Sequence, residues 1–298
     1  MILAFDIGAS RIKAAVVLPQ GGIDPLGEAA TPLDDLADFA DVMARFFRGR
    51  DVVGVAVSIA GVVDPDSGCI KVANIPCANG RPLAEDLRRA LGVPVILLND
   101  ADCFALAEAR AGAGRGHRNV FGVILGSGVG GGLVIDGRLV SGPGGYAGEW
   151  GHGPVLKTVA AGREVPHFPC GCGQAGCVDT VGGARGIERL YLHLNGAALS
   201  SRDIVAGWQA GDVAAVRTMD VWLDLIAPPL AMVVNTVGCS VIPVGGGLAN
   251  VPELIAVLDR VVRGMILRPT TGPLLVCAQA GAEPGLIGAA AAAEDAFA

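Results

Sequence analysis

The sequence predicts an α/β protein built as two domains. Three observations carry that expectation. Short apolar runs alternate with amphipathic helical patterns in both halves of the chain. Each half opens with two strands around a tight Gly/Ser turn, a weak internal duplication. The 298 residues also exceed the ~100–200 usual for one domain. The expected lobes are 1–113 and 114–298.

Ile2 to Ile7 and Ile12 to Leu18 read as strands separated only by Gly8-Ala9-Ser10-Arg11, hence a hairpin. Thr31 reads as a helix N-cap, with Pro32 at the first position and Asp34 and Asp35 in the first turn. Leu33, Leu36, Ala40, Met43 and Phe47 supply that helix's apolar stripe. A strand over 51–58, a helix over 81–91 ended by Gly92, a strand over 93–98 and a helix over 101–111 ended by Gly112 follow. In the second half, 119–125 and 132–135 read as strands around a glycine-rich turn. Asp136-Gly137 is a strong hairpin signal leading into 138–140. A loop-rich stretch carrying cysteines fills 141–179. Helical patterns cover 183–195 and 213–237. A strand over 241–244, a helix over 251–262, a strand over 274–277 and an Ala-rich helix opened by Pro284 complete the chain.

Composition excludes several classes. The longest near-apolar stretch, Leu225 to Val237, is broken by Pro228, Pro229 and Asn235. It falls short of the ~20 residues that span a bilayer. The first residues carry no basic start and place Asp6 early, which argues against a signal peptide and for a cytosolic protein. Net charge is −7 with no Lys/Arg run, so neither nucleic acid nor a membrane surface is an expected partner. Eight cysteines in a cytosolic chain are not expected to form disulfides. Cys69, Cys77, Cys103, Cys239 and Cys277 are scattered and read as small buried thiols. Glycine is abundant, 45 of 298, roughly twice the usual ~7%. Its clustering at turns suits backbone that approaches a ligand closely.

Five motifs carry the chemistry. Asp6-Ile7-Gly8-Ala9-Ser10-Arg11 ends a strand with a carboxylate and follows it with a tight turn. Such a turn presents N–H groups to phosphate oxygens, and Asp6 can face Mg²⁺. Gly126-Ser127-Gly128-Val129-Gly130-Gly131 matches the dinucleotide fingerprint, but a strand follows it where that motif requires a helix. A second phosphate-holding hairpin fits better. Asn99-Asp100-Ala101-Asp102 sits where a strand meets a helix, the place where open α/β sheets bind ligands. Either Asn99 or Asp100 could equally cap the helix. Cys170, Cys172 and Cys177 with one imidazole make a complete tetrahedral zinc shell. His152, in Glu149-x-x-His152, and His167 both compete for the fourth position. Gly245-Gly246-Gly247 follows a buried strand. It suits a bulky ligand or a plain strand-to-helix turn.

Together these motifs resemble the ROK family of sugar kinases and repressors, over essentially the whole chain. The family's DxGGTK opening is similar to Asp6 to Arg11, with Ala9, Ser10 and Arg11 in place of Gly, Thr and Lys. Its PGxVD…G…N segment resembles Ala60 to Asp64, Gly68 and Asn74, and its NDAN resembles Asn99 to Asp102. Its GExGH and CxCGxxGCxE signatures resemble Glu149 to His152 and Cys170 to Asp179, where Asp179 replaces the usual Glu. The resemblance implies a two-lobed hexokinase/actin-like, ribonuclease H-like α/β fold with an interdomain cleft and a last helix able to pack back on the first lobe. It implies ATP over the two Gly/Ser hairpins (Asp6, Gly8, Ala9, Ser10, Arg11; Gly126, Ser127, Gly128) and Gly245 to Gly247, with Mg²⁺ near Asp6. It further implies Asp100 as the catalytic base and Gly61, Asn74, Asn99, Asp100, Glu149, His152 and Asp179 around the sugar. Structural Zn²⁺ is implied at His152, Cys170, Cys172 and Cys177, and a homodimer is possible by analogy. Runs such as Val72 to Pro76 and Gly80 to Leu83 are similar to the branch that phosphorylates N-acetyl-D-glucosamine at its 6-hydroxyl. Glucokinase, fructokinase and N-acetylmannosamine kinase are the alternatives, with a non-catalytic sugar sensor behind them. A repressor would carry an N-terminal helix-turn-helix, for which the strand bearing Asp6 leaves no room.

Overall fold

In the computed structural model, which describes residues 1–297, the chain passes four times between two units. Unit 1 takes Met1–Gly116, Gly132–Gly148 and the chain from Gln279 onward; unit 2 takes His117–Gly131 and Glu149–Ala278.

Unit 1 is organised by a five-stranded sheet in the order Ile23–Ala30, Arg11–Val17, Ile2–Ile7, Gly54–Ile59, Val95–Asn99. The first three strands are antiparallel, and the last two run parallel to Ile2–Ile7. Register aligns Ile7, Ile59 and Asn99 in one row. The carboxyl ends of the three parallel strands therefore finish together, which is where such sheets present ligand-binding groups.

Strand parity decides what each face buries. Leu3, Phe5 and Ile7 point to one side and join Phe39 and Met43 of the helix Leu36–Arg45 and Leu83 and Leu87 of the helix Leu83–Leu91. Ala4, Ala15 and Ala56 point to the other. Their small side chains let the closing helix, Pro284–Phe297, lie close through Leu286, Ala289, Ala290 and Ala293. Gly288 leaves that helix room against the backbone of Cys103 on the helix Asp100–Ala111. Gly54–Ile59 is covered on both faces and every residue of it is buried.

Several sequence expectations are corrected here. The first helix begins at Leu36 with Asp35 as its N-cap, accepting from Ala37 N–H at 2.6 Å. Thr31 does not cap it, because its hydroxyl donates to Gly8 O at 2.7 Å and so holds the first hairpin. The strand Ile23–Ala30 was hidden by Pro25, Gly27 and its exposed polar residues; it pairs at the sheet edge with a bulge at Ala14/Ala15. Cys103 and Cys239 are buried, whereas Cys69, Cys77 and Cys277 are only partly so. Asp136 and Gly137 both take positive φ, 51° and 74°, as the hairpin into Arg138–Val140 requires.

Unit 2 pairs Ile242–Gly245 in parallel with both Asn119–Leu125 and Leu275–Cys277. Its α-helices are Asp179–Gly182, Ala184–Asn195, Ser201–Gln209, Val213–Val237 and Pro252–Arg263. Val213–Val237 is, by length and composition, apolar enough to cross a membrane, contrary to the shorter stretch read from sequence. Here it is a core helix: Trp222, Leu225, Ile226 and Leu230 are buried, and Trp222 Nε1 donates to Gly182 O at 3.1 Å. The helix Ser201–Gln209 escaped the sequence reading because it is short and buries little beyond Ile204 and Val205.

Candidate active site

Asp6 lies on the small-residue face of its strand, level with Ser58 on the parallel neighbour. The Ser58 hydroxyl donates to Asp6 Oδ1 at 2.8 Å. Opposite stands the first turn of the closing helix, where a Cβ on Gly285 would collide with the Asp6 carboxylate. The carboxylate thus meets the positive end of a helix. Burial still raises its pKa above the ordinary 3.8; Ser58 and Lys13 oppose the rise and Glu283 adds to it. Lys13 is held by both oxygens of Glu283, at 2.9 and 2.7 Å. A half-buried carboxylate with a raised pKa is a site that an incoming cation would favour, so Asp6 fits a Mg²⁺ contact.

The sign of this shift gives a stability prediction. A raised folded-state pKa stabilises the fold below the unfolded value and loses that contribution as pH rises through the folded one. Asp6→Asn should therefore stabilise the fold at pH 7 by about 1 kcal/mol and raise Tm. The gain should shrink as pH falls toward 4, because the wild-type carboxyl takes up its proton more readily in the fold than in the unfolded chain. Thermal scans at the two pH values check it; a lower Tm at pH 7 would show that the helix end outweighs burial. Gly285→Ala should destabilise the fold by about 1–3 kcal/mol and disturb Asp6, measurable by denaturant unfolding.

The turn after Asp6 closes with Gly8 N–H donating to Arg11 O at 3.0 Å. Thr31 braces it twice, through its hydroxyl to Gly8 O and its N–H to Ser10 O at 3.3 Å. Among the described residues, only Asp136 and Ala161 combine a side chain with positive φ. The methyl group of Ala9 therefore meets no left-handed backbone. Arg11 turns outward to Glu28, 2.6 Å away on an exposed surface.

At the adjacent strand end, the helix Asp100–Ala111 is capped by Asn99, whose Oδ1 accepts from Ala101 N–H at 2.7 Å and Asp102 N–H at 3.3 Å. Its Nδ2 donates to Gly61 O at 2.8 Å. One side chain thereby fixes both the loop at Gly61 and the start of the helix. Gly61 has no room for a Cβ, which would lie 2.8 Å from Lys71 O. Asp100 is exposed in the first turn and accepts from Ala101 N–H at 2.9 Å. Asn74 is exposed and Asp102 is buried.

Unit 2 carries the second turn. Gly126 N–H donates to Gly128 O at 3.0 Å. Gly246, at φ 85°, packs against the backbone of Leu125 and Gly126 and could not carry a Cβ. Gly245 is buried and Gly247 faces open space. Two glycine motifs that the sequence reading kept separate are thus neighbours. Trp150 Nε1 donates to Gly130 O at 2.9 Å, anchoring the segment that bears Glu149 and His152.

His152, Cys170, Cys172 and Cys177 bring one donor atom each within 4.8 Å of the others. Cys170 Sγ lies 3.6 Å from His152 Nδ1, and Cys172 Sγ lies 3.6 Å from Cys177 Sγ. A tetrahedral ion with bonds of ~2.3 Å has donors about 3.8 Å apart, so the set fits zinc. His152 Nε2 lies 3.7 Å from Glu149 Oε2, the carboxylate–histidine pairing typical behind a metal. His167 is elsewhere, its Nε2 2.6 Å from Leu156 O. The thiols are driven apart: the Gln174 N–H draws Cys172 down to about 7, while burial pushes Cys170 up to about 12. A cation would bring both to thiolate. Burial raises the Glu149 pKa; His152 opposes that rise and Asp179 adds to it.

The ROK family model matches residues 2–296. This chain belongs to the ROK family. It is 35% identical over 297 residues to an N-acetylgalactosamine kinase of Shewanella sp. (strain ANA-3), covering 97% of this chain and 96% of that one. It is 34% identical over 299 residues to the N-acetyl-D-glucosamine kinase of Pasteurella multocida (strain Pm70), covering 98% of each. Among solved structures, the ROK hexokinase of Thermus thermophilus superposes with a TM-score of 0.85 at 31% identity, covering 99% of this chain and 98% of that one. A ROK glucokinase of Streptomyces griseus, solved with glucose and AMPPNP, gives 0.75 at 28% identity and covers 99% of each. The hexokinase/actin-like α/β fold class implied by the resemblance is thus the fold of this ROK chain. Sequence reasoning missed Thr31, Ser58 and Gly285; none forms a local pattern, and only sheet register and helix packing bring them to Asp6.

Proposed function

We propose that this protein is an ATP-dependent sugar kinase that phosphorylates the 6-hydroxyl of a 2-acetamido hexose. The observation that carries the reading is the division of labour at residues 99 and 100. Asn99 is the N-cap, so the neighbouring carboxylate is exposed at the ligand-binding ends of the strands without being needed as the cap.

In this reading Asp100 takes the proton of the sugar O6 as that oxygen attacks the γ-phosphorus; the bond to the β,γ-bridging oxygen breaks and ADP leaves. Ala9 to Arg11 and Ser127 to Gly128 hold the phosphates through backbone N–H groups, while the N–H groups of Gly8 and Gly126 close their own turns. Gly245 to Gly247 admit the nucleoside. Gly61, Asn74, Asn99, Glu149 and His152 hydrogen-bond the sugar. Asp179 serves the same purpose through Oδ2, which lies 4.0 Å from Cys170 Sγ, while Oδ1 accepts from Val129 N–H at 2.9 Å. Mg²⁺ at Asp6 would neutralise phosphate charge. Zinc on the three cysteines and His152 would fix the loop that presents Glu149, without taking part in bond making.

Support for an acetamido sugar comes from relatives named for the C4 epimers N-acetylgalactosamine and N-acetyl-D-glucosamine, matched at similar identity. A coupled assay of ADP release with both epimers, N-acetylmannosamine, glucose and fructose tests it. Turnover is expected to be fastest with one of the 2-acetamido hexoses. Faster turnover with glucose or fructose would move the assignment to that sugar, and no ADP release with any of the five would end the kinase reading.

A further inference from the structure

The second phosphate turn does not stand alone. A single short segment, which starts at the last cysteine of the metal cluster, contacts every residue from Gly126 to Val129. Asp179 lies two residues after Cys177, and its Oδ1 accepts from Val129 N–H at 2.9 Å. The same carboxylate closes over Gly128, where a Cβ would collide with it. Gly183 packs on the backbone of Gly128, with no space for a Cβ, which would fall 2.6 Å from Gly128 Cα. Ala184 N–H donates to Gly126 O at 2.8 Å, and Arg185 N–H to Ser127 O at 3.3 Å. At the other end of the brace, Asp179 N–H donates to Gly151 O at 2.9 Å, next to His152.

We propose that Asp179 is a positioning residue for the nucleotide-phosphate turn, and that residues 177–185 transmit the order of the metal loop to it. The reason is geometric. A Gly-Ser-Gly turn has many accessible backbone states, and N–H groups hold phosphate only when they point one way. Three carbonyl or N–H contacts and one backbone-to-backbone packing contact fix that direction from outside the turn. A carboxylate on Val129 N–H is the charged member of the set and the stronger bond. This role belongs to Oδ1 and is separate from any sugar contact through Oδ2. It rests on the reading of Gly126 to Gly128 as a phosphate turn.

The test is binding of MgADP, without sugar, by titration calorimetry on the full-length, metal-loaded protein. Asp179→Ala should weaken MgADP at least tenfold, with zinc content equal to wild type. Asp179→Asn keeps an acceptor for Val129 N–H and should bind at least threefold tighter than the Ala variant. A weakening below tenfold in Asp179→Ala, no recovery in Asp179→Asn, or loss of zinc from the Ala variant would each overturn the assignment. If Asp179→Ala does not fold, Asp179→Asn alone decides: it is expected within tenfold of wild type, and weaker binding overturns the proposal. Wild-type protein that binds no MgADP would instead remove the nucleotide reading on which the inference stands.

Discussion

Asp100→Asn should lower kcat by about 10²–10⁴-fold, the usual contribution of a general base, while the sugar Kd stays within a few-fold. At about 1.36 kcal/mol per decade, the change corresponds to about 2.7–5.5 kcal/mol of transition-state stabilisation. Asn matches the shape of Asp and can still hydrogen-bond a hydroxyl, so ground-state binding is kept and only proton acceptance is lost. The fold should tolerate the change, because the cap is Asn99 and residue 100 is exposed. Removing one acidic group from a helix first turn costs only ~0.3–1 kcal/mol. Single-turnover kinetics and calorimetric sugar titration check both halves; more than a tenth of wild-type kcat would remove Asp100 from the base role.

Cys172→Ser should lose zinc, lower Tm and raise the sugar KM by at least tenfold, with a smaller effect on kcat. Among the three cysteines this position isolates the metal. Cys172 is exposed, so Ser there disturbs no packing, whereas Cys177 is wholly buried. The loop it belongs to has little regular structure of its own: a two-residue ladder, Val159–Ala160 with Arg163–Glu164, and a bridge between Pro169 and Ala175. Such a loop buries only a few apolar side chains, among them Leu156, Ala160 and Val165, against its ordering entropy, and a bound ion adds to them. A loss of about 2–3 kcal/mol lowers Tm by roughly 3–5 °C at this chain length. Metal analysis, a thermal scan and KM for the preferred sugar decide the matter. Unchanged zinc would remove Cys172 from the cluster, and lost zinc with an unchanged KM would detach the metal from the sugar site.

The two variants separate the chemistry from the scaffold. The first should move kcat and spare KM. The second should do the reverse and soften the fold. Asp6→Asn differs from both, since the same burial that disfavours its carboxylate predicts a more heat-stable protein with a damaged cation site.

The sequence by itself determined what short-range patterns encode. Ile2 to Ile7 and Ile12 to Leu18 marked a hairpin, because two apolar runs are separated only by the tight turn Gly8 to Arg11. Asp136-Gly137 marked a hairpin because its backbone needs positive φ twice. The spacing of Cys170, Cys172 and Cys177 marked a metal loop, because three soft ligands in eight residues are more than core packing calls for.

Only the tertiary structure decided between residues with equal local claims. Asn99, not Asp100, became the cap because its amide also reaches Gly61, far away in the chain. His152, not His167, joined the cysteines because His167 is held at Leu156 O. Thr31 left its expected cap for Gly8, and Gly285 became indispensable because Asp6 fills the space beside it. In each case the deciding partner is distant in sequence. Local propensities differ by a kilocalorie or less, so a single long-range hydrogen bond or close contact is enough to choose among them.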